Sequence, residues 1–173
     1  MPSKERPACQ TCGLFRKALT PFMPPEVPEG WDGRLLIVGE RPGQHEDGVT
    51  GRPFTGPSGQ RLRRIVERLG VRPALTNAVR CGGPDNARPT MAQVRACRPV
   101  LLRTIAELRP EVVVLAGETA VRSALNNGSV KVAAVRGRNL REIAFLPPLP
   151  AKKRGRRHDG AASQNDTQEP SRE

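Results

Sequence analysis

A chain of 173 residues is long enough for one domain with its own core, and 29 Lys and Arg against 17 Asp and Glu leave it a net charge of +12. No segment approaches the 18 apolar residues of a membrane span, and no signal-peptide core precedes the first glycines, so a cytoplasmic address without membrane contact is expected. Residues 51–100 carry ten basic and two acidic side chains, which makes a polyanion the favoured partner and this quarter its favoured contact.

In chain order, a C-x-x-C pair, Cys9 and Cys12, comes first. An apolar run at 35–38 reads as a strand, and it empties into the long loop "GERPGQHEDGVTGRPFTGPSG". Ser58 is placed to cap the next helix, with Leu62, Ile65, Val66 and Leu69 on one face, Arg61, Arg63, Arg64 and Arg68 on the others, and Gly70 beyond its end. A second strand at 74–76 leads into "TNAVRC", and Thr90 with Gln93 forms a capping-box pattern ahead of a helix that carries Cys97. The third strand, at 112–115, is apolar on both faces, as expected where helices cover both sides of a parallel sheet. A short helix over 119–125 follows, and a weaker strand is expected at 143–146.

Strands alternating with helices imply a three-layer αβα domain on a mostly parallel, four-stranded sheet, spanning residues 1–150. From residue 151 nothing apolar exceeds alanine, and 151–173 reads as a basic, disordered tail. Ligands on such sheets bind beyond the carboxyl ends of the strands, so the loop after 35–38 and the segment "TNAVRC" are the candidate site. The four cysteines, Cys9, Cys12, Cys81 and Cys97, are compatible with one tetrathiolate site for zinc or an iron–sulfur cluster, and spacing does not choose between them.

Taken together, "CQTCGLF", "VGERPGQHEDGVTGRPFTGPSGQRL", "LTNAVRCGGPDNARPTMAQVRACRPVL" and "RPEVVVLAGETAVRSAL" resemble, in order and spacing, the iron–sulfur (family 4) uracil-DNA glycosylases. The resemblance covers about residues 9–138 and implies the uracil-glycosylase fold, with a [4Fe–4S] cluster on Cys9, Cys12, Cys81 and Cys97. It implies that Glu40 belongs to the loop that positions the attacking water, and that Gly39, Arg41, Gly43 and Gln44 belong to the same substrate-facing loop. Phe54 matches the residue that stacks on uracil, and Asn77 the one that pairs with its Watson–Crick edge. Uracil-containing DNA, single- or double-stranded, is the implied partner of a monomeric protein, with Arg61, Arg64 and Arg68 meeting its phosphates.

Two positions depart from the family pattern. Arg41 stands where the G-E-x-P-G loop usually has a small residue. Pro147 or Pro148 stands where the family has the histidine of an H-P-[SA] segment, and the only histidines are His45 and His158. Two functions therefore follow from the sequence: a uracil-excising repair enzyme slowed by the missing histidine, or a protein of the same fold that binds uracil-containing or single-stranded DNA with little turnover.

Overall fold

Residues 12–138 are described by the computed structural model. The apolar runs become three strands: β1 (Leu35–Gly39), β2 (Ala74–Asn77) and β3 (Val112–Leu115). All are parallel, in the order β2–β1–β3, with Gly39 opposite Asn77 and Val38 opposite both Thr76 and Leu115. Parallel neighbours need crossovers. Helix α1 (Pro57–Arg68) carries the chain from β1 to β2, and α2 (Met91–Leu108) carries it from β2 to β3. Helix α3 (Glu118–Leu125) follows β3, and a single turn, α4 (Val132–Val135), closes the described chain.

Both faces of β1 and β2 are buried, Ile37 and Leu75 on one side and the larger cluster on the other. Leu36 and Val38 of β1 pack with Ala74, Leu101 and Ile105 of α2, and Ala120 of α3, with Val113 and Leu115 at the margin. On the opposite face Val112 and Val114 of β3 remain 55% and 42% exposed, so among the described residues only one face of β3 is covered, not two. The sheet likewise has three strands among these residues rather than four. The stretch expected to supply the fourth, 143–146, lies outside them, as do Cys9, the position of the missing histidine and the basic tail. No helix among the described residues is long and apolar enough to cross a membrane.

Two details of α1 differ from expectation. It starts one residue before Ser58, with Pro57 at the first helical position and Gly56 as an extended N-cap that makes no side-chain bond; a proline's fixed φ and missing N–H suit that position. Its inward stripe is Gly59, Leu62, Arg63 and Val66, and this leaves Ile65 and Leu69 54% and 70% exposed. The capping box is as expected: Thr90 Oγ1 accepts from Gln93 N–H, and Gln93 Oε1 accepts from Thr90 N–H at 2.8 Å.

Gly59 fixes the rotation of α1. A Cβ on it would lie 2.3 Å from the carbonyl carbon and oxygen of Phe54. Alanine ordinarily gains roughly 1 kcal/mol over glycine inside a helix. Here the obstacle is backbone and cannot swing aside, and such overpacking costs about 1–3 kcal/mol. Gly59→Ala is therefore expected to destabilise the domain. A lowered urea midpoint with an unchanged slope is the expected result, and a raised midpoint would show that α1 is free to slide away from Phe54.

Candidate active site

Pairing between β1 and β2 continues past the strands. Ala78 N–H donates to the Gly39 carbonyl at 2.9 Å and Val79 N–H to the Glu40 carbonyl at 3.0 Å. The loop after β1 is thereby held beside "TNAVRC". At this junction the Gly39 backbone is overlaid by two side chains: a Cβ there would lie 2.5 Å from Asn77 Oδ1 and 2.6 Å from Phe54 Cζ. Only glycine leaves the room. An aromatic ring and a buried carboxamide thus meet over one stretch of bare backbone, an arrangement that suits a planar heterocycle, stacked by the ring and paired by the amide.

Phe54 has φ +58°, a left-handed conformation costly for a bulky side chain. Arg63 holds it there. Its Nε donates to the Phe54 carbonyl at 2.9 Å and its Nη2 to the Pro53 carbonyl at 2.7 Å. The same guanidinium forks onto both oxygens of Glu26 at 2.8 Å, and Arg52 Nε adds a bond to Glu26 Oε2 at 3.0 Å. Burial alone would raise the Glu26 carboxyl, but hydrogen bonds from Arg63 and Arg52, and then their charges, hold it below its ordinary value.

Glu40 is half-buried, and its Oε2 accepts from Thr119 Oγ1–H at 2.7 Å. Thr119 is buried in the first turn of α3, so this bond bridges the carboxyl ends of β1 and β3, where the strand order reverses. Further along the loop, Glu46 accepts from Gly43 N–H at 2.5 Å and from Thr55 N–H at 3.0 Å, pinning its two ends together. Between them lies a π-helical turn, Glu46–Thr50. Gln44 is exposed, and its N–H donates to Asn86 Oδ1. Buried Asp47 accepts from the N–H groups of Leu19 and Thr20, tying the N-terminal segment to the loop.

Arg41 does not join Phe54 and Asn77. Its Nη1 packs against Gly83, 2.6 Å from where a Cβ would stand, and it lines a separate cavity. Arg61, Arg64 and Arg68 are exposed on α1, as expected, whereas Arg63 of the same run faces inward.

Three of the four cysteines converge. Cys81 and Cys97 are buried with Leu14, Val79 and Val94, and Cys12 packs against them. Phe22 N–H donates to Cys81 Sγ at 3.4 Å, and Arg80 N–H to Cys97. Burial first, and then the neighbouring thiols, push the Cys81 thiol up and that of Cys97 up to about 11. Deprotonating them together calls for a positive centre to offset the charge. Among the described residues no three His, Cys, Asp or Glu groups are gathered as they would be around a single ion.

A ring, an amide and a carboxylate gathered at the mouth of an open parallel sheet define an α/β protein with its candidate site at the carboxyl ends of the strands. The chain belongs to the uracil DNA glycosylase superfamily, whose family model matches residues 25–165. It is 38% identical over 109 residues to a type-4 uracil-DNA glycosylase of Thermotoga maritima, covering 61% of this chain and 56% of that protein. Type-4 enzymes of Pyrobaculum aerophilum (39% over 115 residues; 60% and 58% covered) and Saccharolobus solfataricus (32% over 133; 73% and 59%) are similar to it as well. The chain spans less than two thirds of the length of each of these relatives.

Sequence reasoning missed Arg63, Glu26, Asp47 and Thr119. Thr119 had a signal, its place just past the carboxyl end of a strand. Arg63 had one too, since it lies one turn after Gly59 on the same helical face. Glu26 and Asp47 had none, because their partners are set by tertiary contact.

The Glu26–Arg63 pair gives the next prediction. Glu26 titrates lower folded than unfolded, so below its ordinary value of 4.5 the unfolded chain binds more protons. Its contribution is complete above that value and is lost as pH falls through the folded one. Arg63→Met should flatten the rise of stability with pH between about pH 3 and 5, and should cost about 1–3 kcal/mol at neutral pH by leaving two carbonyls and a carboxylate short of donors. Urea midpoints across that range, unchanged in slope against pH, would count against the pair.

Proposed function

We propose that this protein is a DNA-repair glycosylase that excises uracil by hydrolysing its N-glycosidic bond. The observation that carries this reading is the meeting of Phe54 and Asn77 over the bare backbone of Gly39, next to Glu40. A flipped uracil stacks on the Phe54 ring and pairs its imide edge with the Asn77 carboxamide. Glu40, oriented by the Thr119 hydroxyl, accepts a hydrogen bond from a water on the sugar side. That water's oxygen bonds to C1′ as the C1′–N1 bond breaks. The bonding pair leaves with uracil, and the water's proton passes to Glu40. Gly43, Gln44 and the exposed Arg61, Arg64 and Arg68 support the strand around the site, and the protein acts as a monomer on single- or double-stranded DNA.

Cys9, Cys12, Cys81 and Cys97 would hold a [4Fe–4S] cluster. Support comes from the convergence of Cys12, Cys81 and Cys97 among apolar side chains, with backbone N–H groups directed at two of the sulfurs. A zinc ion, the other occupant a tetrathiolate suits, would draw its sulfurs to within about 4 Å of one another, given Zn–S bonds of ~2.3 Å. When bound, the cluster cross-links the N-terminal segment to the sheet domain. Purified protein is expected to be brown, with broad absorption near ~400 nm from thiolate-bound iron. A colourless protein holding one zinc per chain would replace the cluster with the ion.

The second reading, a binding protein with little turnover, rests on Pro147 or Pro148 in place of the motif histidine. One missing donor to a leaving anion costs roughly 10²–10³ in rate. Excision from a uracil-containing oligonucleotide, followed by cleavage at abasic sites under single-turnover conditions, separates the two. Slow but measurable excision is expected. Asn77→Ala should abolish preference for uracil, and Glu40→Gln should slow excision more than it weakens binding. Uracil preference without any excision would establish the second reading.

A further inference from the structure

A cavity with a cationic lining lies beside Arg41, apart from Phe54 and Asn77. Its volume is about 280 Å³, and its walls are the Cys12–Leu14 segment and Lys17 on one side, and Gly83, Pro84 and residues 87–90 on the other. Arg41 forms the wall between. Three cations, Lys17, Arg41 and Arg88, line it, and no carboxylate does. None of the three takes part in an ion pair among the described residues. Glu40 and Asp47 are the acids whose charges reach Arg41, and both are committed elsewhere: Glu40 to Thr119, Asp47 to the backbone of Leu19 and Thr20. The Nη2 of Arg41 is fully buried and has no hydrogen-bond partner among the described residues.

A buried guanidinium nitrogen without an acceptor is costly. The cavity beside it is large enough for a tetrahedral oxyanion, and Gly83 is the residue whose missing side chain leaves room for the guanidinium. Lys17 and Arg88 are exposed, standing as two long flexible cations at the mouth. Burial lowers the tendency of Arg41 to hold its proton, as it does for a cation waiting on its counter-charge. A neutral ligand would leave three like charges facing one another; an oxyanion satisfies the orphaned nitrogen and relieves their repulsion together.

We infer that Arg41, Lys17 and Arg88 form a phosphate-binding subsite separate from the base cleft, and that its occupant is a backbone phosphodiester of the DNA strand held in that cleft. Arg41 follows Glu40 directly in the chain, so the subsite lies within a nucleotide's reach of the sugar that Glu40 faces. The inference rests on the proposed action on DNA but not on uracil chemistry. It assigns Arg41 to positioning the strand rather than to the base.

The test is equilibrium binding of the full chain to two oligonucleotides, one with uracil and one with thymine at the same place, across a range of salt. Arg41→Met keeps the side-chain stem and removes the charge. Each lost phosphate contact should reduce the slope of log affinity against log salt by about 0.7–0.9. The expected result is that loss for both oligonucleotides, with the uracil-to-thymine preference intact. Replacing single phosphates near the uracil by neutral methylphosphonates should reproduce the loss at one position in the unsubstituted protein and add nothing in Arg41→Met. Lys17→Gln and Arg88→Gln, both exposed, provide the same readout should Arg41→Met fold poorly. An unchanged slope in all three variants would overturn the proposal. So would an unchanged slope in a protein whose melting temperature rises with inorganic phosphate at constant ionic strength, and does so only while Arg41 is present; the occupant would then be a free phosphate. Absence of uracil preference in every protein would defeat the glycosylase reading while leaving the salt slopes to decide this one.

Discussion

Everything at the site depends on how closely two side chains approach the backbone of Gly39. Pairing with β2 sets Gly39 opposite Asn77, and the ladder continues through Ala78 and Val79, so the amide and the loop cannot drift apart. Phe54, fifteen residues further on, is brought to the same spot by Gly59, which admits its backbone to the first turn of α1. Arg63 then locks the loop by filling the carbonyls of Pro53 and Phe54. The positive φ of Phe54 is a local cost, offset by this one guanidinium and the carboxylate behind it. The candidate site is therefore built from short backbone approaches, which require glycine, and not from flexible side chains that would have to be ordered on binding.

The loop after β1 also divides two kinds of electrostatics. Glu40 is hydrogen-bonded to the Thr119 hydroxyl between the ends of β1 and β3 and forms no ion pair among the described residues, although its charge reaches Arg41. Arg41, the next residue, goes the other way, to Gly83 and a cavity lined only by cations among its charged groups. Were the guanidinium on the Glu40 side, it would form an ion pair with the carboxylate expected to orient water and weaken it as a base. Pointing it away keeps the acid available and places a positive charge where a polyanion passes. The excess of basic residues between 51 and 100 adds to this positive field, and α1 contributes exposed Arg61, Arg64 and Arg68 to it.

The parallel α/β class, the three strands and the capping box were legible because each depends on short-range pattern, whereas the grouping of the cysteines was legible only through the family resemblance. Gly39, Phe54 and Asn77 were legible only as members of an ordered set of motifs; singly, each has an ordinary structural role. The errors on α1 have one cause. Leu62, Ile65, Val66 and Leu69 make a plausible apolar face by period, but helix rotation was decided by a glycine contact and a charged pair that periodicity does not weigh. An arginine counted with the surface charges is the residue that secures the stacking ring. The Glu40–Thr119 bond joins residues 79 apart, and topology, not sequence, makes them neighbours.

The absent histidine takes a more definite form against this geometry. Phe54, Asn77 and Glu40, the groups proposed to stack on the base, pair with it and orient water, are all positioned within residues 12–138 by β1, β2, α1 and α3. A donor to the departing base has to come from outside that set. Arg41 is turned to Gly83, and His45 is exposed at the start of the π-helical turn, so neither lies with Phe54 and Asn77. On the proposed reading, recognition and leaving-group stabilisation are separate contributions that can be lost separately. Interactions made equally with bound base and transition state set affinity, whereas a donor that acts only as charge develops sets rate. On the proposed reading, a chain that keeps this arrangement without that donor holds uracil and gives up speed.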